Sequence, residues 1–398
     1  MVDTERKLNL LAAEARFERA DPLDTDVPQA AGSCSSPGTI FVHKARPTGI
    51  RLLKILQTNV CEYDCAYCCN RAQRDTPRAG FSPDEMARLV DEAYRSQQAQ
   101  GVLLSSGIAG SPITSMDRML ATAELLRTKY QYPGYIHLKI LPGAERSQIE
   151  AAAKWANRLS VNLEAPSQTA LRKLSSSKDI QSTLLRIKWI ADALAARGRS
   201  SGQTTQFVVG PGGESDRDLL EMASSLYSKF GLRRAYYSAF QPVPQTPLEN
   251  LSPTPKWREL RLYQADFLMR LYRVKLSELP FDQNGNLIPD IDPKLAMAKA
   301  HPERFPVDVN RAEYEELLTV PGIGPISASR IVRRRAIRRI ADERDLAYCG
   351  VVVSRAAPFI LIDGRRIEAP PPPQKPKDDA KQLSLFDIQT AEVLCKKL

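Results

Sequence analysis

The sequence predicts an α/β chain: six strand–helix units in an open arrangement, followed by a smaller, helical and strongly basic unit. Three observations predict it. Strand-like apolar runs recur six times between residues 50 and 240, with helical patterns between them. Four of the seven cysteines crowd into "CEYDCAYCC" (61–69), directly after the first run. Beyond residue 300 a glycine-bracketed turn, "VPGIGP", joins two helical stretches in arginine-rich surroundings.

Taken in order, the charged opening "MVDTERKLNLLAAEARFERAD" has helical periodicity. It lacks the apolar core and small-residue cleavage site of a signal peptide. No run of about 18 apolar residues exists, which excludes a membrane-spanning helix and leads to the expectation of a cytoplasmic protein. The strand candidates are "RLLKILQT" (51–58), "GVLLSSG" (101–107), "YIHLKIL" (135–141), "RLSVNLE" (158–164), "QFVVG" (206–210) and "RRAYYSAF" (233–240). Helical stretches such as "SPDEMARLVDEAYRSQ" alternate with them, the first with Ser82 and Glu85 as a capping box. Such alternation predicts a parallel sheet, and six units leave a partial barrel or a wound sheet as the choices. In either, ligands gather at the C-terminal strand ends. The expected division is a lead-in (1–48), the βα domain (49–255), a connector (256–300), a helical unit (301–365) and a flexible tail (366–398) containing "APPPPQKPKDDAKQ".

A dense cysteine cluster in a chain with no secretory signature points to metal or redox chemistry rather than to a disulfide framework. Cys61, Cys65 and Cys68 have C-x3-C-x2-C spacing. Zinc usually takes four ligands in paired motifs, and neither a second pair nor a histidine cluster is present among only three histidines. Three thiolates on a four-iron–four-sulfur cluster leave one iron without a protein ligand.

With aromatic Tyr67 just before Cys68, this motif resembles that of the radical S-adenosylmethionine (radical SAM) enzymes. The resemblance implies a partial (β/α)6 TIM-type barrel, a 4Fe–4S cluster on Cys61, Cys65 and Cys68, and S-adenosylmethionine on the fourth iron. It also implies reductive cleavage to methionine and a 5′-deoxyadenosyl radical that abstracts hydrogen from substrate. Tyr67, Ser105, Ser106 and Gly107 after the second strand, Asn162 and Glu164 after the fourth, and Gly210 and Gly212 (in "VVGPGGES") after the fifth match cofactor-contact positions. An electron donor such as flavodoxin or ferredoxin is implied. Cys69 is extra to the pattern; next to Cys68, its side chain is expected to point elsewhere as a buried small hydrophobe. His137, Lys139, Tyr237, Ser238 and Gln241 are weaker pocket candidates, and a lone buried histidine usually has a structural hydrogen bond.

"LLTVPGIGPISASRIVRRR" (317–335) reads as a helix started by Asn310, a stop at Pro321, and a second helix from Pro325. It resembles a helix-hairpin-helix, in which Gly322, Ile323 and Gly324 would contact DNA phosphates without reading sequence. Arg330, Arg333, Arg334, Arg335, Arg338 and Arg339 follow, and the formal net charge of +10 also favours a polyanion. "DLAYCGVVVSRAAPFIL" is a degenerate second copy, keeping Gly350 and Ala356. In the tail, Gln382, Leu383, Leu385 and Phe386 of "QLSLF" resemble the peptide that docks on the bacterial sliding clamp.

Together these stretches resemble a bacterial family of radical SAM proteins assigned to DNA modification or repair. The expectation is an enzyme acting on a DNA base or sugar. Two rivals are kept: the same chemistry on RNA such as tRNA, and a clamp-tethered iron–sulfur adaptor without turnover.

Overall fold

The structure is a computed structural model that describes residues 2–15, 42–44, 50–199 and 202–368. The clamp-peptide residues Gln382, Leu383, Leu385 and Phe386 lie outside the described residues. The chain forms two compact units, residues 1–259 and 260–398.

In the first unit, seven strands lie in sequential order: β1 (Val42–Lys44), β2 (Arg51–Leu56), β3 (Gly101–Ser105), β4 (Tyr135–Lys139), β5 (Arg158–Ser160), β6 (Gln203–Val209) and β7 (Arg234–Ala239). β2 to β7 pair in parallel, with Leu53 opposite Val102 and Val102 opposite Ile136. This is the expected six-unit half-barrel. β1 is an addition, pairing antiparallel on β2 at the edge. Leu53, Ile55, Val102, Leu104 and Ile136 are fully buried, as strands covered on both faces require.

The intervening helices are α2 (Pro83–Arg95), α3 (Pro112–Thr128), α4 (Arg146–Trp155), α5 (Gln168–Leu174), α6 (Ile180–Ala195) and α7 (Asp216–Phe230), after an N-terminal α1 (Val2–Glu14). The Ser82–Glu85 capping box forms as expected. β5 is shorter than the apolar run predicted. The Thr205 hydroxyl donates to Val161 O (2.8 Å) and accepts from Leu163 N–H (3.1 Å), so a side chain replaces the ladder there. The chain then turns through Glu164 at φ 67°, a left-handed conformation that costs a non-glycine residue about 1–2 kcal/mol.

The second unit contains α9 (Pro293–Ala300), α10 (Tyr314–Thr319), α11 (Pro325–Ile337), α12 (Glu343–Tyr348) and α13 (Val353–Ala356); α8 (Lys256–Leu271) precedes them. Its core holds Leu317, Val320, Ile323, Ile331, Leu346 and Ile360. The expectation of an all-α unit is corrected by a three-stranded sheet of β8 (Val307–Asp308), β9 (Ile360–Ile362) and β10 (Arg365–Arg366). Asp363 and Gly364, both at positive φ, make the turn between β9 and β10. Asn310 is not the cap of α10. Its amide brackets Ile340, donating to O (2.8 Å) and accepting from N–H (2.9 Å), while Glu313 caps α10 in a box with Glu316. Among the described residues no helix is long and apolar enough to cross a membrane.

Candidate active site

β2 delivers the chain through Gln57–Val60 into the cysteine loop. Gly107 N–H donates to Thr58 O (2.7 Å), and a Cβ at Gly107 would stand 2.2 Å from Val60 O. Only a glycine permits this approach, so the turn after β3 presses directly on the entrance to the loop.

The loop itself is neither helix nor strand, and it is fastened from two sides. The Arg78 guanidinium donates to the carbonyls of Asn59, Asn70, Arg71 and Arg74 at 2.5–3.0 Å. The Asp64 carboxylate accepts from the hydroxyls of Ser175, Ser176 and Ser177 and from the N–H groups of Ser176 and Ser177. Partial burial opposes its charge, yet these donors hold the carboxyl well below the usual range.

Cys61, Cys65 and Cys68 line one cavity at the C-terminal strand ends, with a volume of about 180 Å³. Tyr67, Ser105, Ser106, Gly107, Asn162 and Glu164 line the same cavity. So do Lys139, Ser238 and Gln241. Burial pushes the Cys65 thiol up to about 11, with Lys178 pulling the other way. The Cys68 thiol is raised by its hydrogen bond to Cys69 and by burial. Cys69 is buried as expected, but it does not point elsewhere: it lines the cavity beside the three others.

Other candidates stand apart. Gly210 and Gly212 are outside this lining. The Gly210 N–H donates to the Glu214 carboxylate, and a Cβ there would strike the Thr254 hydroxyl at 2.0 Å. Its glycine is required by the close packing of this turn. His137 Nε2 is bonded to Ser160 Oγ (2.8 Å) inside the barrel, and burial depresses its basicity. Tyr237 is fully buried, stacked on Phe207 at 5.9 Å.

The sequence reading missed Lys178. Its ammonium donates to Glu164 Oε1 (2.9 Å) and to Tyr67 OH (3.2 Å) with only 10% of the side chain exposed. Burial opposes both charges, but Lys178 holds Glu164 below its ordinary value, and Cys65, followed by Glu164, holds Lys178 well above its own. Glu164 Oε2 is buried with no hydrogen-bond partner among the described residues. The signal was "SSSK" (175–178), a polar run between two helices that seats Asp64 and then places a cation in the cavity.

Residues 55–226 match the family model described as the radical SAM superfamily. This segment is a radical SAM domain. Such domains use a 4Fe–4S cluster and S-adenosylmethionine. Among curated proteins none matches the sequence. Among solved structures, the hydrogenase maturase HydG from Carboxydothermus hydrogenoformans is 15% identical with a TM-score of 0.46, covering 55% of this chain and 51% of its own. Methylornithine synthase (PylB) is 14% identical with a TM-score of 0.44, covering 55% and 63%. A radical SAM methyltransferase from Sphaerobacter thermophilus is 15% identical with a TM-score of 0.42, again covering 55% and 63%. This chain therefore spans less than two thirds of each.

The residues present fit the two cofactors. Three thiols share one cavity wall, and the orphaned Glu164 Oε2 offers an acceptor to an amine or a ribose hydroxyl. Among the described residues no three His, Cys, Asp or Glu side chains converge on a point able to hold a single metal ion.

The second unit presents the hairpin. Gly322 has φ 85°, and a Cβ there would meet Val352 O at 2.6 Å. The Gly322 and Gly324 N–H groups have no hydrogen-bond partner among the described residues. Ile323 differs from its expected role: it is buried, and its N–H donates to Val320 O (3.1 Å). The second copy packs on the first, Val352 N–H donating to Gly322 O (2.9 Å) and Ser327 Oγ to Gly350 O (2.7 Å). The N–H groups of Gly350, Val351 and Val352 are all used internally, so the turn of the second copy lacks the donors that Gly322 and Gly324 offer in the first. Arg330 and Arg333 are exposed on α11. Arg334 is paired with Asp345, Arg335 donates to Val309 O, and Arg339 pairs with Asp363. Arg338 and Arg339 lie past the end of α11, about 20 Å along the axis from Gly324.

Proposed function

We propose that this protein is a radical S-adenosylmethionine enzyme that modifies or repairs a base or sugar of DNA. The observation that carries the DNA reading is the hairpin: the N–H groups of Gly322 and Gly324, which have no hydrogen-bond partner among the described residues, in the turn that leads into α11. A helix N-terminus with open donors suits a phosphate, and exposed Arg330 and Arg333 add charge one to three turns further on. Backbone donors fix position on a duplex and leave sequence unread.

In the radical SAM domain, Cys61, Cys65 and Cys68 would hold the cluster. Bound together, the cluster and S-adenosylmethionine supply a 5′-deoxyadenosyl radical for hydrogen abstraction. Lys178, braced on Tyr67 OH, holds the Glu164 carboxylate in place, leaving its Oε2 to orient a polar cofactor group. Ser105, Ser106 and Gly107 close the cavity next to the loop. Leu56, Ile140, Leu141 and Phe240 contribute apolar surface to the cavity. Chemistry on a base needs that base out of the stack, so the target nucleotide is extruded or single-stranded. Flavodoxin or ferredoxin serves as electron donor, and "QLSLF" tethers the chain to the sliding clamp.

The test compares binding to duplex DNA, DNA with one mismatch, and tRNA at matched salt. The proposal expects DNA to bind more tightly than tRNA and the mismatch to bind best. Tighter binding to tRNA replaces DNA with RNA as the substrate. DNA binding by a reduced, cluster-loaded protein that never cleaves S-adenosylmethionine leaves the adaptor reading.

A further inference from the structure

The cysteine loop is docked in part by a carboxylate that belongs to neither the cluster motif nor the cofactor contacts. Asp64 lies between Cys61 and Cys65 in sequence, yet its oxygens are wholly engaged by the turn after α5. Oδ1 accepts from Ser175 Oγ (2.8 Å), Ser177 Oγ (2.7 Å) and Ser177 N–H (3.2 Å), while Oδ2 accepts from Ser176 Oγ and from Ser176 N–H (3.0 Å). Two residues on, Ala66 N–H donates to Leu174 O (2.7 Å). Residues more than a hundred positions apart are thereby joined by six hydrogen bonds, five of them to an ionised group and correspondingly strong.

The same turn continues into Lys178, which reaches Tyr67 OH (3.2 Å) and Glu164 Oε1 (2.9 Å). The joint therefore contacts the loop at Asp64, Ala66 and Tyr67, on both sides of Cys65. None of these bonds involves iron. Arg78 fastens the two flanks through Asn59, Asn70, Arg71 and Arg74, but it does not reach the span between Cys61 and Cys69.

We propose that Asp64 is a positioning residue for the iron–sulfur site: by docking the cysteine loop on the Leu174–Lys178 turn, it sets Cys65 and Tyr67 before any iron arrives. It acts through the ligands rather than on the cluster. Groups that orient ligands from behind commonly change metal affinity by ~10–100-fold when removed. The inference rests on reading Cys61, Cys65 and Cys68 as iron ligands, and the wild-type control separates the two ideas. A wild-type protein holding zinc in place of iron and sulfide defeats the ligand reading itself.

The experiment uses the full chain, reconstituted without oxygen. Chelator-driven loss of the cluster is followed by its visible absorbance, and folding by far-ultraviolet circular dichroism on the same samples. Asp64→Ala, Asp64→Glu and the triple variant Ser175→Ala/Ser176→Ala/Ser177→Ala are compared with wild type. The proposal expects Asp64→Ala and the serine triple to lose iron at least about tenfold faster with unchanged dichroism. Asp64→Glu, which keeps the charge, recovers part of the lifetime. Addition of S-adenosylmethionine to the reduced protein should shift the paramagnetic resonance spectrum of a smaller fraction of clusters in Asp64→Ala. Two outcomes overturn the proposal: cluster lifetimes equal to wild type in both Asp64→Ala and the serine triple, or loss of iron only in step with loss of folded signal.

Discussion

Replacing Lys178 by methionine removes the cation from a pair whose side chains are 10% and 4% exposed. At 2.9 Å the attraction is about 332/(20 × 2.9), or roughly 6 kcal/mol, for an effective dielectric of ~20. Desolvation offsets much of this, so the pair itself adds little net stability. Breaking it is different, because Glu164 then remains charged and buried, at a cost of about 3–5 kcal/mol. For a unit of this size that lowers the melting temperature by roughly 6–20 °C. Glu164→Gln in the same chain removes the stranded charge, so the double variant should recover most of the loss. Thermal melts of the metal-free wild type, the two single variants and the double variant measure the coupling. A Lys178→Met loss below 1 kcal/mol, or two single effects that simply add, refutes the claim that the pair is electrostatically closed. The pH dependence has a definite sign. Because Glu164 lies below its ordinary value in the folded chain, its contribution is present above the unfolded value of ~4.3 and is lost as pH falls through the folded one. The gap between wild type and Glu164→Gln should therefore narrow in acid.

Three further outcomes are expected. Gly107→Ala must move Val60 O by about 1 Å to relieve a 2.2 Å contact, and a displacement of that size beside the reacting groups should lower 5′-deoxyadenosine formation ~10²-fold in a single-turnover assay. Gly322→Ala combines positive φ with a 2.6 Å contact to Val352 O; it should destabilise the second unit by about 2 kcal/mol or more and abolish DNA binding, read by denaturation and fluorescence anisotropy. Arg330→Ala/Arg333→Ala should weaken DNA binding evenly across sequences and reduce the salt slope by about 2, whereas Arg335→Ala, whose guanidinium is bonded to Val309 O, should change the slope by much less.

The half-barrel could be read in the sequence because each parallel strand is a short apolar run and each helix carries its own cap and period. β1 could not: three residues at a sheet edge have no period of their own. The cluster loop and the glycine of its neighbouring turn were legible as local motifs. The clamp on Asp64 and the Lys178–Glu164 pair were not, since they join segments 111–113 and 14 residues apart and each residue alone looks like ordinary surface. The error at Asn310 came from a side chain that found a better partner in Ile340 than in the helix it precedes. The missed sheet of the second unit had a visible signal, the Asp363–Gly364 turn between "FILI" and "RRI".

The central claim is that three cysteine thiolates hold a cluster whose open iron receives S-adenosylmethionine in a protein that works on DNA. The direct measurement is anaerobic reconstitution, reduction, and quantification of 5′-deoxyadenosine with and without DNA. The account predicts four irons and four sulfides per chain on average, 5′-deoxyadenosine formation that Cys65→Ala abolishes, and faster formation when DNA is added. A zinc-loaded chain, or an iron–sulfur chain that leaves S-adenosylmethionine intact whatever nucleic acid is present, contradicts it.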